Sequence, residues 1–407
     1  MRILVVSNFY PPHFIGGYEL GCAAAVEALR RRGHQVAVLT STYGGDGPRS
    51  EGEVHRWMTG VGPEPARAWR PAPVRRLATL ARLVRKERGN WAALRRLAAE
   101  LRPDVVYVWN PVGTSVSLAA ALPALGMPTA FYVFDEWMAR GDDLVLRFWK
   151  GGGVPARVAA AAGLPAVSGG VAFRNVHFGS AYLADAVRAA GVRTEGARTI
   201  HWGIDPGAFP FRAERRPEVR RLLFVGQVLP HKGVHTVVEA LALLASSEGG
   251  SRVSLTIAGD ADNPYGHELR RRVRELGVAE AVSFRGRVAR AEIVALYHEH
   301  DVLVFPSVWN EPFGITILEA MACGLPVVAT GTGGSGEIVR DGENALVFAP
   351  GDAAACARQI GRLMHDDALF ERIRRGARES VERHFTLERT IGEIEEGLCA
   401  AVAGGAA

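Results

Sequence analysis

Short apolar runs with strand character alternate with segments of helical period along the whole chain, and the alternation breaks once and then restarts. That order is the mark of parallel α/β folding, in which each strand is followed by a helix that covers the sheet. In the first half the predicted strands are Arg2–Ser7, Gln35–Thr40, Asp104–Trp109 and Thr129–Phe134, with shorter ones at Asn175–Phe178 and Arg198–Trp202. A helix predicted over Tyr18–Arg32 ends at Gly33, a residue that accepts a left-handed C-cap. The second half restarts with strands at Arg221–Gly226, Val253–Gly259, Ala281–Gly286, Asp301–Pro306 and Pro326–Thr330. Helices are predicted among them at Val234–Leu244, His267–Leu276, Arg290–His300 and Gly314–Cys323, and two more close the chain at Ala368–His384 and Leu387–Ala401. The Pro- and Arg-rich stretch 205–220 interrupts the pattern, and 407 residues hold two doubly wound domains comfortably. The sequence therefore predicts a domain over 1–204, a linker over 205–218, a second domain over 219–385 and a closing helical segment over 386–407.

Charge is distributed unevenly. The net charge is +5, but residues 1–200 carry +10 and residues 201–407 carry −5. The excess concentrates between Arg67 and Arg102, where 11 basic residues face only Glu87 and Glu100. Leu77, Leu80, Ala81 and Val84, and then Leu94, Leu97, Ala98 and Leu101, follow helical spacing. Arg75, Arg82 and Lys86 fall on the opposite face of the first set. The pattern predicts two amphipathic helices with cationic outer faces, either simply solvated or able to meet an anionic membrane. Cys22, Cys323, Cys356 and Cys399 form no close pair and no zinc-ligand spacing, so they read as reduced thiols of a cytoplasmic protein. No signal peptide and no apolar run of about 18 residues is expected.

The segment from Val304 to Thr330 carries the most chemistry. A buried strand ends at Pro306. A loop then brings Glu311 to the carboxyl edge of the sheet, where α/β domains bind ligands. Gly314 opens a helix, leaving the N–H groups near Gly314, Ile315 and Thr316 free to meet an anion such as a diphosphate. Glu319 lies farther into that helix, amid Ile315, Ile317, Leu318, Ala320, Met321 and Ala322, so a lone carboxylate there needs a partner. Two carboxylates beside a diphosphate are useful if they accept hydrogen bonds from neutral hydroxyls, which points to a nucleotide sugar. The helix start separates the two. This order puts the ribose at Glu319 and the transferred sugar at Glu311.

The Glu-x7-Glu segment, with its flanking Glu-Pro-Phe-Gly and Glu-Ala-Met-Ala-x-Gly-x-Pro-Val-Val-Ala, resembles the signature of glycosyltransferase family 4. Four further motifs extend the resemblance over most of the chain. They are Pro11-Pro12-His-Phe-Ile-Gly-Gly-Tyr-Glu19, Val225-Gly-Gln-Val-Leu-Pro-His-Lys-Gly233, Gly203-Ile-Asp205 and Gly333-Gly-Ser-Gly-Glu-Ile-Val339. The resemblance implies an α/β GT-B fold, two Rossmann-like doubly wound domains facing across a cleft, with the last helix packing back toward the first domain. It implies a retaining glycosyltransferase that moves a sugar from a nucleotide-diphosphate-sugar to a saccharide, lipid-linked saccharide or small natural-product acceptor, with no metal and no other cofactor. Nucleic acid is not among the expected partners. The implied donor residues are Gly16, Gly17, Gly226, Gln227, Lys232, Glu311, Phe313, Gly314, Ile315, Thr316 and Glu319, with Glu311 and Lys232 in the catalytic role.

Local chemistry supports several of these. Gly16 and Gly17 allow backbone to approach a diphosphate without a Cβ. Lys232, one of only three lysines in an Arg-biased chain, precedes a predicted helix where its ammonium can neutralise a departing diphosphate. Asp135, Glu136, Trp137 and His13 are the acceptor candidates, with Trp137 equally readable as core. His34, His365 and His384 read as surface residues. Two positions depart from the family pattern. Gln227 stands where Arg is common, and Phe134 stands where many members have His. These departures keep a non-catalytic sugar-nucleotide-binding protein open beside the enzyme, and a GT-B epimerase is the other alternative. Asp260-Ala-Asp262 has the form of a metal motif but falls in a loop of the second domain, and no metal is expected there.

Overall fold

A computed structural model of the chain describes residues 1–45, 47–60, 73–115, 118–119, 122, 126–139, 172–214, 218–246 and 253–405, with backbone alone at 73–80. The chain divides into two units. Unit 1 is Met1–Ile200 with Ile391–Ala407, and unit 2 is His201–Thr390.

Unit 1 contains strands β1 (Arg2–Val6), β2 (Gln35–Ser41), β3 (Arg49–Glu51), β4 (Val54–Met58), β5 (Val105–Val108), β6 (Thr129–Val133), β7 (Ala172–Arg174), β8 (Val176–Phe178), β9 (Arg193–Glu195) and β10 (Arg198–Thr199). Eight of them form one sheet in the order β10-β8-β6-β5-β1-β2-β4-β3, while β7 pairs with β9 separately. Every pair in the large sheet is parallel except β3–β4. Strands β1, β5 and β6 are buried almost end to end, as apolar runs covered on both faces must be. The order reverses direction between β1 and β5. A doubly wound sheet opens a ligand crevice at the carboxyl ends of two such strands.

Unit 2 contains β11 (Arg221–Val225), β12 (Ser254–Ala258), β13 (Val282–Gly286), β14 (Val302–Phe305), β15 (Val327–Ala329) and β16 (Leu346–Val347), all parallel, in the order β13-β12-β11-β14-β15-β16. Renumbered from its own first strand this is 3-2-1-4-5-6, the dinucleotide-fold order. The switch point lies between β11 and β14. Its core joins Leu222, Phe224, Leu255, Ile257, Val302 and Val304 of the sheet to Val237, Leu241, Ile360, Leu363 and Ile373 of the covering helices.

Several expectations change here. The basic segment is one helix, Pro73–Leu101, not two. Asn90, which resembles a break in the sequence, is fully buried; its amide bonds Thr59 N, Thr59 O and Thr114 O, so tertiary bonds hold a poor helix former in place. The stretch expected as a linker is tied to unit 2. Arg212 Nη1 donates to His298 O and His300 O, and Arg378 Nη1 donates to Pro206 O, Phe209 O and Ala322 O. His34 is not a free surface residue, because its ring bonds Glu395 of the last helix at 2.8 Å. Glu395 also bonds Arg32, which ties Ile391–Ala407 into unit 1. The β3–β4 hairpin and the helix Ala353–His365 were not anticipated. No described helix is long and apolar enough to cross a membrane.

Candidate donor site

The site is built at the switch point of unit 2. After β11 the chain makes a short turn, Pro230–Lys232, closed by Gly233 at φ 68°. A Cβ on Gly233 would stand 2.0 Å from Pro306 O, so only glycine lets this turn lie against the end of β14. Val308 N and Ser307 Oγ both donate to His231 O, locking the two loops together. The consequence is that Lys232 meets Glu311. Its ammonium donates to both carboxylate oxygens at 2.8 Å, with the carboxylate side chain only 6% exposed and the lysine 21%. Glu311 is also fixed through its backbone, since its carbonyl accepts from Gly334 N at 2.6 Å. Gly333, at φ 58°, approaches so closely that a Cβ would lie 2.6 Å from that same carbonyl.

The helix following this loop is Ile315–Ala322 with Gly314 at its N-cap. No side chain caps it and no acidic residue lies in its first turn. The N–H groups of Gly314, Ile315 and Thr316 have no acceptor among the described residues. Uncapped donors and the positive end of the helix dipole together make an anion site.

Glu319 has the partners that its apolar setting demands. Arg290 donates to Oε1, and Tyr297 OH donates to Oε2 at 2.8 Å. Burial pushes the Glu319 carboxyl above its ordinary range, while Arg290 and Tyr297 pull the other way. Burial and the neighbouring carboxylate hold the Tyr297 hydroxyl far above its usual range. Hence Tyr297 stays a donor, and a hydroxyl ligand at Glu319 must share oxygens that each already accept one bond. Arg290 itself is half exposed and lies over the Phe209 ring.

The remaining donor candidates differ in what they offer. Phe313 is buried under the loop, Gly226 takes φ 156°, and the Gln227 side chain is exposed. In unit 1, Gly16 is the N-cap of the helix Gly17–Arg31, but its N–H already donates to Glu19 Oε2 at 3.0 Å, as does that of Ile15. Gly16 therefore offers open space, with nothing within 4 Å of a built Cβ, but no free amide donor. His13 packs edge-on against Tyr43 in the neighbouring loop. Asp135 caps its own turn by accepting from Trp137 N, Glu136 accepts from Tyr182 OH at 2.6 Å, and Trp137 is buried against Phe173. Asp260 accepts from Asp262 N and pairs with Arg287, so this motif forms a turn. No group able to hold a metal occurs among the described residues.

Arg290, Tyr297 and the pair His201–Glu337 were not singled out from the sequence. A tyrosine on the buried face of a short helix is the signal for Tyr297. Arg290 acts across 29 positions and leaves no local trace.

These two parallel doubly wound units, the second with its loops assembled at a switch point, place the protein in the GT-B class. The fold matches Anabaena HepE in complex with UDP and glucose, with TM-score 0.69 and 22% identity over 98% of this chain and all of that one. It matches sucrose-phosphate synthase from Thermosynechococcus elongatus equally, at 0.69 and 21% identity, covering 98% and 99%. A family model described as Glycosyltransferase Family 4 matches residues 15–208, and one described as glycosyl transferases group 1 matches residues 208–380. The chain belongs to the family 4 type of glycosyltransferases. Among its relatives is a glycogen synthase of Mycobacterium tuberculosis, 29% identical over 95% of this chain and 91% of the relative. Another is a D-inositol 3-phosphate glycosyltransferase of Acidothermus cellulolyticus, 35% identical over 44% of this chain and 41% of the relative.

Proposed function

We propose that the protein transfers a sugar from a nucleotide-diphosphate-sugar to an acceptor with retention at the anomeric carbon and without a metal. The observation that carries this reading is the Lys232 ammonium held between both oxygens of Glu311, beside the uncapped start of helix Ile315–Ala322. The diphosphate of the donor lies at that helix start. Its charge competes for Lys232, and the swing of the ammonium toward it frees Glu311 to accept from hydroxyls of the transferred sugar. Lys232 and the first-turn amides supply the positive field that a metal supplies elsewhere. Glu319 holds the ribose hydroxyls, oriented by Arg290 and Tyr297. The departing diphosphate takes the acceptor proton, so no side-chain base is required.

Acceptor recognition falls to unit 1, where His13 lies in the loop after β1 and Asp135 and Glu136 in the turn after β6, while the buried Trp137 supports that turn. The exposed Arg82, Arg85 and Arg88 of helix Pro73–Leu101 support a peripheral contact with anionic lipid.

A panel of UDP-, ADP- and GDP-sugars tested by thermal shift identifies the donor, since a ligand at about 100 times its Kd stabilises by about 2.7 kcal/mol. NMR of the product then tests retention. An α donor giving a β product overturns it, and loss of activity in EDTA that manganese restores overturns the metal-free site.

A further inference from the structure

We infer that His201 and Glu337 form a positioning pair that holds the donor loop in register with the segments by which the chain enters and leaves unit 2. The inference rests on the donor-site reading above and adds residues that this reading does not use.

Unit 2 begins at His201 and ends at Thr390. These two ends are stitched together. Ile204 N donates to Phe385 O at 2.9 Å, Leu387 N donates to Ile204 O at 2.8 Å, and Thr390 Oγ1 donates to His201 O at 2.9 Å. Gly203 permits the closeness, since a Cβ there would lie 2.3 Å from the Thr386 carbonyl. The His201 side chain points from this ladder toward the donor loop. Its Nε2 bonds Glu337 Oε2 at 2.6 Å, its ring stacks on Phe313 with centroids 5.8 Å apart and planes 16° apart, and it meets Phe385 edge-on.

Two of these contacts, Phe313 and Glu337, flank Glu311. Phe313 is two residues beyond Glu311 on the same loop. Glu337 ends the turn Gly334–Glu337, whose first N–H donates to Glu311 O at 2.6 Å. His201 thus clamps the two backbone segments that fix Glu311, and does so from the ends of unit 2. A hydrogen bond this short between an imidazole and a carboxylate, about one-third and one-fifth exposed, sets the ring plane against Phe313. Phe313 is 2% exposed, so a shift of the ring moves the loop instead of a free side chain.

The test uses the full chain with H201A, E337A and E337Q. Without any ligand, amide hydrogen exchange at Ile317 and Leu318, which donate to Gly314 O, and at Gly334, which donates to Glu311 O, should speed up about tenfold in H201A and E337A, with helix Val234–Ser246 unchanged as the internal control. E337Q keeps an acceptor for Nε2–H and should stay within about twofold of wild type. In steady-state kinetics with the nucleotide sugar that stabilises wild type most, H201A and E337A should lower kcat about tenfold. Affinity for the matching nucleoside diphosphate should stay within about twofold. The double variant should be no slower than either single one. Unchanged exchange at Ile317, Leu318 and Gly334, or E337Q loosening the loop as much as E337A, overturns the inference. If no nucleotide sugar stabilises wild type, the donor reading fails, while the exchange arm still decides the positioning pair.

Discussion

Each unit starts a helix at its switch point, and the two starts are electrically opposite. In unit 1 the helix Gly17–Arg31 carries Glu19 in its first turn, and that carboxylate takes the N–H groups of Gly16 and Ile15. In unit 2 the helix Ile315–Ala322 carries no acid in its first turn, has no side-chain cap and has Lys232 in the loop beside it. The same fold element holds a carboxylate against its N-cap amide in one unit and carries no acid at its start in the other. A shared sheet order places a ligand crevice in both units. On the proposed function, the first-turn chemistry decides which of them takes the diphosphate.

The largest effect should come from E311A. Loss of a carboxylate whose bonds tighten as charge develops on the sugar should lower turnover by about 100- to 1,000-fold, on the scale of a removed transition-state contact. Because Lys232 loses its internal partner, nucleoside diphosphate affinity should hold or rise. A matched loss of affinity in calorimetry would move the sugar away from Glu311.

K232A should act on both ligand and fold. It removes the positive charge from the anion site and leaves a nearly buried carboxylate uncompensated, so stability to urea should fall by about 2 kcal/mol and diphosphate affinity about tenfold. Wild-type affinity in K232A would leave the helix start alone as the anion site.

E319A should weaken the nucleoside diphosphate by about 10- to 100-fold, at about 1.5–3 kcal/mol for a charged acceptor lost from neutral hydroxyls. If calorimetry shows the loss in E311A instead, ribose and sugar have been exchanged.

The two units should also respond to pH in opposite directions. In unit 1 His177 is buried, bonded to Tyr107 OH and covered by Gly397, and burial lowers its pKa from 6.5 to about 4. Its folded form binds fewer protons than the unfolded chain across that window. Stability is therefore full above pH 6.5 and is lost as pH falls toward 4. In unit 2 the Glu319 carboxyl is raised above its ordinary 4.5, so its folded form holds the proton longer and its contribution declines as pH rises through that window. R290A removes a contact that lowers this pKa, so it should extend the decline to higher pH. Urea titrations from pH 4 to 8 check both signs. H177Q should flatten the acid limb, and an unaltered limb would place the acid sensitivity elsewhere.

The smallest effect should come from R82Q, which removes one exposed cation from helix Pro73–Leu101. Binding to anionic liposomes at low salt should fall by about fivefold, at about 1 kcal/mol per charge near the surface. No binding by wild type would make this helix face purely solvated.

The sequence made some of this legible and hid the rest for physical reasons. Strands β5, β6, β11 and β14 read clearly because both faces are buried, which leaves continuous apolar runs. The hairpin β3–β4 did not, since β3 is largely exposed and its Arg-Ser-Glu carries no period. Glu311, Glu319, Lys232 and Gly314 were identified because charge, helix start and loop lie within one stretch or beside a glycine turn. Their pairings were not. Arg290 reaches Glu319, and Glu337 reaches His201 across 136 positions, through sheet order that no local pattern records. Helix Ala353–His365 was missed although Cys356, Ile360 and Leu363 stand at helical spacing on its buried side, because its first turn is a run of alanines without contrast between faces. The opposite polarity of the two helix starts was half visible. Glu19 stands plainly in the sequence, but its capture of the Gly16 and Ile15 amides is a matter of geometry.

Exchanging the chemistry of the two helix starts tests the account most directly. Calorimetry of the donor's nucleoside diphosphate should be run on wild type, T316E and E19Q. Thr316 occupies the first turn in unit 2, so T316E gives that helix the acidic start that unit 1 already has. T316E should weaken binding at least tenfold, because a carboxylate at a helix start both takes the free amides and repels the diphosphate. E19Q should stay within about twofold of wild type. Full affinity in T316E, or a loss confined to E19Q, would contradict it and move the diphosphate to the start of the other helix.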